Sequence, residues 1–366
     1  MHQSAAPYDA LLLCSFGGPN ASEDVVPFLR NVVRGKGVPD ERLAEVGEHY
    51  FAFGGKSPIN EQNIALRAAL AAELGRRGVD LPVVWGNRNW HPYTKDTLRD
   101  AYAFGARRIL TLVTSAYASY SGSRQYREHL AAAVAELREE GIVLEVDVLR
   151  PFFNDPGFIE ANTKAILDAA ARLPEGGGVH VAYVTHSIPE TMQEASAVTG
   201  PGYREQHEDV RSVVDAELRE RGLEVTSSSL SYCSRSGDPR TPWLEPDIND
   251  HLAELAAAGV TRVVVAPIGF ISDHMEVVWD LDTEALGTAR TLGLHASRAA
   301  TAGVAPAFVT GLVDLVLERA SRERGENPPA TVRGELGAFP DVAPPGSCRM
   351  RHGEVTGIPV LAGTAD

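Results

Sequence analysis

Between positions 273 and 284 the chain reads Asp273-His274-Met275-Glu276-Val277-Val278-Trp279-Asp280-Leu281-Asp282-Thr283-Glu284, with carboxylates at 276, 280 and 284. On an α-helix this four-residue spacing stacks three acids along one face, where like charges oppose helix formation by a few tenths of a kcal/mol per pair. A divalent cation is a natural compensator, because oxygen-rich sites tolerate clustered carboxylates that water alone would drive apart. A solvated acidic face would carry the same spacing. Context favours the ligand. The stripe follows Arg262-Val-Val-Val-Ala-Pro-Ile-Gly-Phe270, an apolar run of the kind found in buried parallel strands, and in open α/β sheets ligands gather where such strands end.

A second strand-like run, Val179-His-Val-Ala-Tyr-Val-Thr185, leads straight into His186-Ser187-Ile188-Pro189-Glu190. His186 therefore stands at a strand's carboxyl end, where an imidazole serves structure and function about equally often. Opposed to Glu276 across a cleft, it would suit ferrous iron or another borderline divalent metal, and also proton transfer. Phe53-Gly54-Gly55-Lys56-Ser57-Pro58 contains a Gly-Lys-Ser but fails as a phosphate loop, since the required earlier glycine is Tyr50. Cys14-Ser-Phe-Gly-Gly-Pro-Asn20 likewise lacks G-x-G-x-x-G. These glycine turns either let the backbone approach a flat ligand or simply make tight loops. Tyr117-Ala-Ser-Tyr120-Ser-Gly-Ser-Arg124-Gln-Tyr126-Arg127 mixes rings, hydroxyls and guanidinium groups, which suits a planar ligand bearing carboxylates or an ordinary helix start. Arg34 and Lys36 are a candidate carboxylate clamp or a solvated loop.

Positioning these groups takes a particular scaffold. Apolar β-rich runs alternate with amphipathic stretches, the pattern of parallel α/β proteins. Strands are expected at 9–15, 82–86, 108–114 and 144–149, then at 179–185, 227–234, 262–267 and 294–299. Helices are expected near 22–33, 40–51, 60–76, 94–104 and 124–140, then near 158–172, 204–221, 247–257, 273–286 and 306–322. With 366 residues two domains are the prior. Arg150-Pro-Phe-Phe-Asn-Asp-Pro-Gly157 is the crossover, giving domains at 1–152 and 153–305. The helix near 306–322 is expected to return to the first domain. Residues 326–366 read as an irregular, mobile tail.

Composition limits the partners. Forty-nine acids against 34 Lys plus Arg give a formal charge of −15, which argues against nucleic acid or anionic membrane as a general partner. No run approaches a membrane span, and the first residues have neither a basic nor an apolar leader segment, so the expected location is the cytoplasm, without stable membrane insertion. Cys14, Cys233 and Cys348 are odd in number and form no C-x-x-C, so no disulfide framework or structural zinc site is expected.

In the same order along the chain, Leu11-Leu-Leu-Cys-Ser-Phe-Gly-Gly-Pro19, Gly54-Gly-Lys-Ser-Pro58, Thr185-His-Ser-Ile-Pro-Glu190, Ser234-Arg235 with Pro242-Trp-Leu-Glu-Pro-Asp247, and Pro267-Ile-Gly-Phe-Ile-Ser-Asp-His-Met-Glu276 closely resemble ferrochelatases, which insert ferrous iron into a porphyrin. The resemblance implies two Rossmann-like domains, parallel sheets flanked by helices, with the active site in the cleft between them. It makes His186 the metal-facing, proton-accepting histidine and Glu276 the glutamate opposite. It places Asp280 and Glu284 on an acidic path outward, Ser57, Tyr126 and Phe16 at porphyrin-contacting positions, and Arg34 near the propionates.

Two departures carry chemistry. Phe16 stands where some bacterial members have an iron-ligating tyrosine, and a phenyl ring has no donor. The run 119–126 looks like the actinobacterial branch, many of whose members bind a [2Fe-2S] cluster through four cysteines. Here Ser123 occupies the first of those positions and the tail supplies only Cys348. Four thiolates cannot be assembled, so no cluster is expected, although a serine oxygen is chemically able to ligate. The branch, and the lack of an apolar membrane-docking lip in the sequence, favour coproporphyrin III over protoporphyrin IX. A cobalt-inserting chelatase and a non-catalytic tetrapyrrole or metal carrier are the rival readings. A monomer is favoured.

Overall fold

The structure is a computed structural model that describes residues 3–35 and 37–361; Lys36, one arm of the candidate clamp, lies outside the described residues. Strands β1 (Ala10–Ser15), β2 (Val83–Asn87), β3 (Arg108–Val113) and β4 (Glu145–Val148) form one parallel sheet in the order β2-β1-β3-β4. Strands β5 (Val179–His186), β6 (Val225–Cys233), β7 (Arg262–Ala266) and β8 (His295–Arg298) form a second with the equivalent order, β6-β5-β7-β8. Helices connect the parallel strands, so each central strand is covered on both faces.

Alternation along the strands shows how the layers are filled. Leu11 and Leu13 join one apolar cluster, while Leu12 and Cys14 join another on the opposite face of the same sheet. Val181 and Tyr183 divide from Ala182 and Val184 in the same way. This is the period-2 geometry of a strand, and burying each large side chain contributes roughly 1.5–3 kcal/mol. The cluster containing Leu11 also contains Val181, Val264 and the rings of Phe152, Phe153, Phe158 and Phe308, so one core joins both halves.

Between β4 and the next helix the chain is irregular, and that helix starts at Pro156, two residues before the expected position. Asp155 accepts hydrogen bonds from the amides of Gly157 (2.8 Å) and Phe158 (3.2 Å), and proline suits a first helical turn because its missing N–H would have no partner there. The C-terminal helix Pro306–Glu323 packs on both Pro156–Ala170 and Ile59–Arg76. Arg77 donates to the Thr310 carbonyl at 3.2 Å.

Two segments differ from the sequence reading. The stretch expected as an α-helix over 273–286 winds as a π-helix, Val277–Ala285, followed by a short α-helix, Leu286–Thr291. A second π-helix, Tyr120–Arg124, follows β3. The described part of the tail is irregular, as read, yet anchored along its length. The Arg333 amide donates to the Asn154 carbonyl (2.8 Å) and the Glu335 amide to Asp209 (2.9 Å). Phe339 packs edge-on against Phe153, and Thr199 meets Ser347 at 2.9 Å.

Candidate active site

The carboxyl ends of β5 and β7 approach each other because Gly269 has no side chain. A Cβ there would lie 2.0 Å from Thr185 Oγ1. That close approach brings His186 and Glu276 together: Nε2 of His186 is 3.7 Å from Oε1 of Glu276, with 32% and 49% of the side chains exposed. Nδ1 of His186 donates to the Ser187 carbonyl in a short hydrogen bond, which fixes the tautomer and leaves Nε2 facing the carboxylate. Tyr203 donates to the His186 carbonyl at 3.1 Å and meets Thr185 Oγ1 at 2.6 Å, holding the strand end in place.

Electrostatics tie the groups into a ladder. Burial pushes the His186 imidazolium down, but the Glu276 charge and hydrogen bond outweigh it and raise the group to about 9. Burial pushes the Glu276 carboxyl up, while His186, with His274 behind it, holds it well below the usual carboxylate range. His274 Nδ1 lies 3.6 Å from Glu276 Oε2, so the carboxylate sits between two imidazoles. One step outward, burial and the neighbouring Glu276 and Glu284 charges push Asp280 up to about 7 against the Ser234 hydroxyl, which donates to Asp280 Oδ2 in a short hydrogen bond. Glu284 accepts from Trp279 Nε1 at 3.0 Å. Among the described residues no three His, Cys, Asp or Glu side chains are placed to hold a metal ion; His186 and Glu276 are a two-donor arrangement.

A second cluster, of rings and a guanidinium, forms in the first half. Arg88, directly after β2, lies over two rings: its guanidinium carbon is 4.5 Å from the Tyr126 ring centre and 5.7 Å from that of Phe16. The Arg88 amide donates to the Ser15 carbonyl, so the β1–β2 pairing sets this position. Tyr50 reaches the same region as Glu276, whose charge adds to burial in raising the phenol.

A ferrochelatase family model matches residues 8–320. The chain belongs to the ferrochelatase family. It is 54% identical over 355 residues to a coproporphyrin III ferrochelatase of Streptomyces coelicolor, covering 95% of each chain. It is 47% identical over 359 residues to one of Leifsonia xyli, covering 93% of this chain and 91% of the relative. A ferrochelatase of Rhodopirellula baltica is 45% identical over 345 residues, with 93% of each covered. The solved structure of SirB from Bacillus subtilis with Fe3+ shares the fold at a TM-score of 0.51 and 13% identity, covering 87% of this chain and 97% of that one.

Within this ferrochelatase architecture the remaining residues read from sequence are dispersed. Phe16 and Tyr126 share Arg88, although Tyr126 is only 4% exposed. Ser57 is 2% exposed; its hydroxyl accepts weakly from the Ile59 amide at 3.4 Å, which gives it a place at a helix start rather than on an open wall. Arg34 is exposed and donates to Asn31 at 2.6 Å. Gly55, at φ +76°, packs where a Cβ would lie 2.3 Å from Ser22, so of the two glycine-turn readings this one is a tight loop. Ser123 and Cys348 line one small enclosed cavity beneath the tail, with Arg124 and Arg127, away from the His186–Glu276 pair. Phe51, which ends the helix Asp40–Phe51, and Phe53 just beyond it are 45% and 41% exposed and make a two-ring apolar spot that patterning does not mark.

Arg88, His274 and Ser234 were not singled out by the sequence reading. Arg88 and Ser234 follow the carboxyl ends of β2 and β6 directly, so the strand-end rule applied to every strand would have found both. His274 stood inside the acidic run but carried no acid to mark it.

Proposed function

We propose that this protein is a coproporphyrin III ferrochelatase, a lyase-class chelatase that inserts Fe2+ into coproporphyrin III to give Fe-coproporphyrin III in haem biosynthesis. The carrying observation is the His186–Glu276 pair at 3.7 Å in a chain of this family. The identity to relatives named for coproporphyrin III supports the substrate. So do the cations Arg88 and Arg34, because coproporphyrin III carries four propionates and guanidinium groups pair with carboxylates directionally.

Insertion removes two pyrrolic protons and replaces the water around a dication. In the metal-free cleft His186 holds a proton because Glu276 is charged beside it. A dication arriving at Glu276 cancels that attraction, so the Nε2 proton passes to Asp280 and outward to water; Nε2 then accepts the two pyrrole protons in turn and hands each on by the same route. Asp280 and Glu284 form the outward path by which iron enters and protons leave. Phe16, Arg88 and Tyr126 give the macrocycle an aromatic and cationic wall, with Ser57 shaping the loop behind it.

The domains proposed are 1–152, joined by the helix over 306–322, and 153–305, with the cleft between them. No iron–sulfur cluster is part of this reading: Cys14 lies on β1 beside Thr94, Cys233 ends β6, and only Cys348 lines the cavity with Ser123. No helix among the described residues is long and apolar enough to cross a membrane, which fits a proposed cytoplasmic enzyme. A monomer is proposed.

The test is anaerobic insertion assayed with ferrous iron and, in parallel, coproporphyrin III, protoporphyrin IX and sirohydrochlorin. Fastest metalation of coproporphyrin III is expected. Preference for sirohydrochlorin, or binding without turnover, would replace this reading with a different chelatase or a carrier.

A further inference from the structure

We propose that Trp279 is a positioning residue that makes the outermost carboxylate of the metal approach depend on contact between the two halves of the molecule. This rests on the reading of Glu284 as part of that approach. Trp279 uses two parts of its side chain on two partners. Its indole N–H donates to Glu284 Oε1 at 3.0 Å. Its ring face lies on the imidazole of His49, from the helix Asp40–Phe51 of the other half, with centroids 4.2 Å apart and planes 7° from parallel. Phe53 closes the edge at 6.3 Å and 81°.

The pairing depends on the π winding. An α-helix turns once in about 3.6 residues, so side chains five apart point to different sides. Bonding from i to i+5 widens the turn and brings residues 279 and 284 onto neighbouring azimuths, within reach of one hydrogen bond. An indole is suited to this double duty: it is large and rigid, with apolar faces for stacking and one directional donor. Glu284 is otherwise an exposed carboxylate on a freely rotating side chain. With Trp279 clamped by His49 and Phe53, its orientation is fixed only while the helix Asp40–Phe51 rests on the π-helix. Iron is thus received by a formed ladder when the cleft wall is in place, and by a disordered outer rung when it is not.

The experiment measures anaerobic Fe2+ insertion at saturating coproporphyrin III against iron concentration, and porphyrin binding separately by fluorescence without iron. Trp279→Phe keeps a ring on His49 and removes the donor; the lost bond to a charged acceptor should raise KM for iron about fivefold, with kcat and porphyrin affinity within about twofold. Glu284→Gln keeps an acceptor for the indole but removes the charge that receives iron, so it should raise KM similarly, and the double variant should be no worse than either single, because Trp279 acts only through that charge. His49→Ala should raise KM for iron and red-shift the tryptophan emission. Additive effects of Trp279→Phe and Glu284→Gln, or an unchanged iron KM in Trp279→Phe or His49→Ala beside a raised one in Glu284→Gln, would overturn the positioning role while leaving the metal approach intact. An unchanged KM in Glu284→Gln would instead remove Glu284 from the approach, and the proposal with it.

Discussion

The two halves share a strand order, and in each a π-helix follows the third strand, yet their strand ends carry opposite chemistry. From the first half come rings and a guanidinium: Phe16 after β1, Arg88 after β2, Tyr126 beyond β3. Equivalent places in the second half hold His186, Ser234, His274 and Glu276. The fold decides where side chains converge and leaves their identity free. On the proposed function, the first cluster suits a planar polyanion and the second a dication, and a reaction that must hold the one while delivering the other needs both.

The comparison is broken most severely through His186. His186→Ala should lower the insertion rate by about 10²–10⁴-fold, the usual worth of a positioned proton acceptor, while porphyrin binding measured by fluorescence quenching stays near that of the parent. Undiminished insertion would refute the assigned base. On the other wall, Arg88→Leu should weaken coproporphyrin III binding by about tenfold through loss of a charge-assisted contact. It should affect protoporphyrin IX less, since that porphyrin has fewer carboxylates; equal losses for both would show that Arg88 serves the rings and not the propionates.

The acidic wall also makes a pH prediction. With Asp280 pushed up to about 7, its carboxylate is present above that pH and neutralised below it. Efficiency in iron, measured as kcat/KM across pH 5.5–8.5 (about three units around neutrality), should therefore fall as pH drops through this value, and Asp280→Asn should lack that limb. A carboxyl whose native value is raised favours the folded state below its unfolded value, and that contribution is lost as pH rises through the native one. Asp280→Asn should thus be more resistant to denaturant than the parent above neutrality, with the advantage shrinking in acid. The smallest effect separates backbone from hydroxyl at Ser234, whose φ of 61° lies in the left-handed region. Ser234→Gly fits that backbone and removes the donor, so the acid limb should move to higher pH with stability retained. Ser234→Ala should shift the limb equally and also lower stability by about 1 kcal/mol.

Much of this was legible before any coordinates. The apolar runs around Leu12, Ile109, Val181 and Val264 mark buried parallel strands because an element covered on both faces has no reason to alternate. Strand ends in such sheets are where ligands sit, which is enough to single out His186 and Glu276. Other features left weaker traces. The family resemblance makes Ser57 a porphyrin-contacting position, while in the structure its hydroxyl accepts from the Ile59 amide at the start of a helix. Arg88 has no motif of its own, and only its place directly after β2 marks it.

Periodicity and residue type, both local properties, determined the alternating layers, the crossover at 150–157 and the acidic ladder. Three things belonged to the tertiary structure alone: the meeting of His186 with Glu276 over Gly269, the π winding that sets Trp279 beside Glu284, and the anchoring of the tail. Each depends on which distant backbone lies within a few ångströms. Such proximity is fixed by packing between elements, and no spacing along a single chain segment records it.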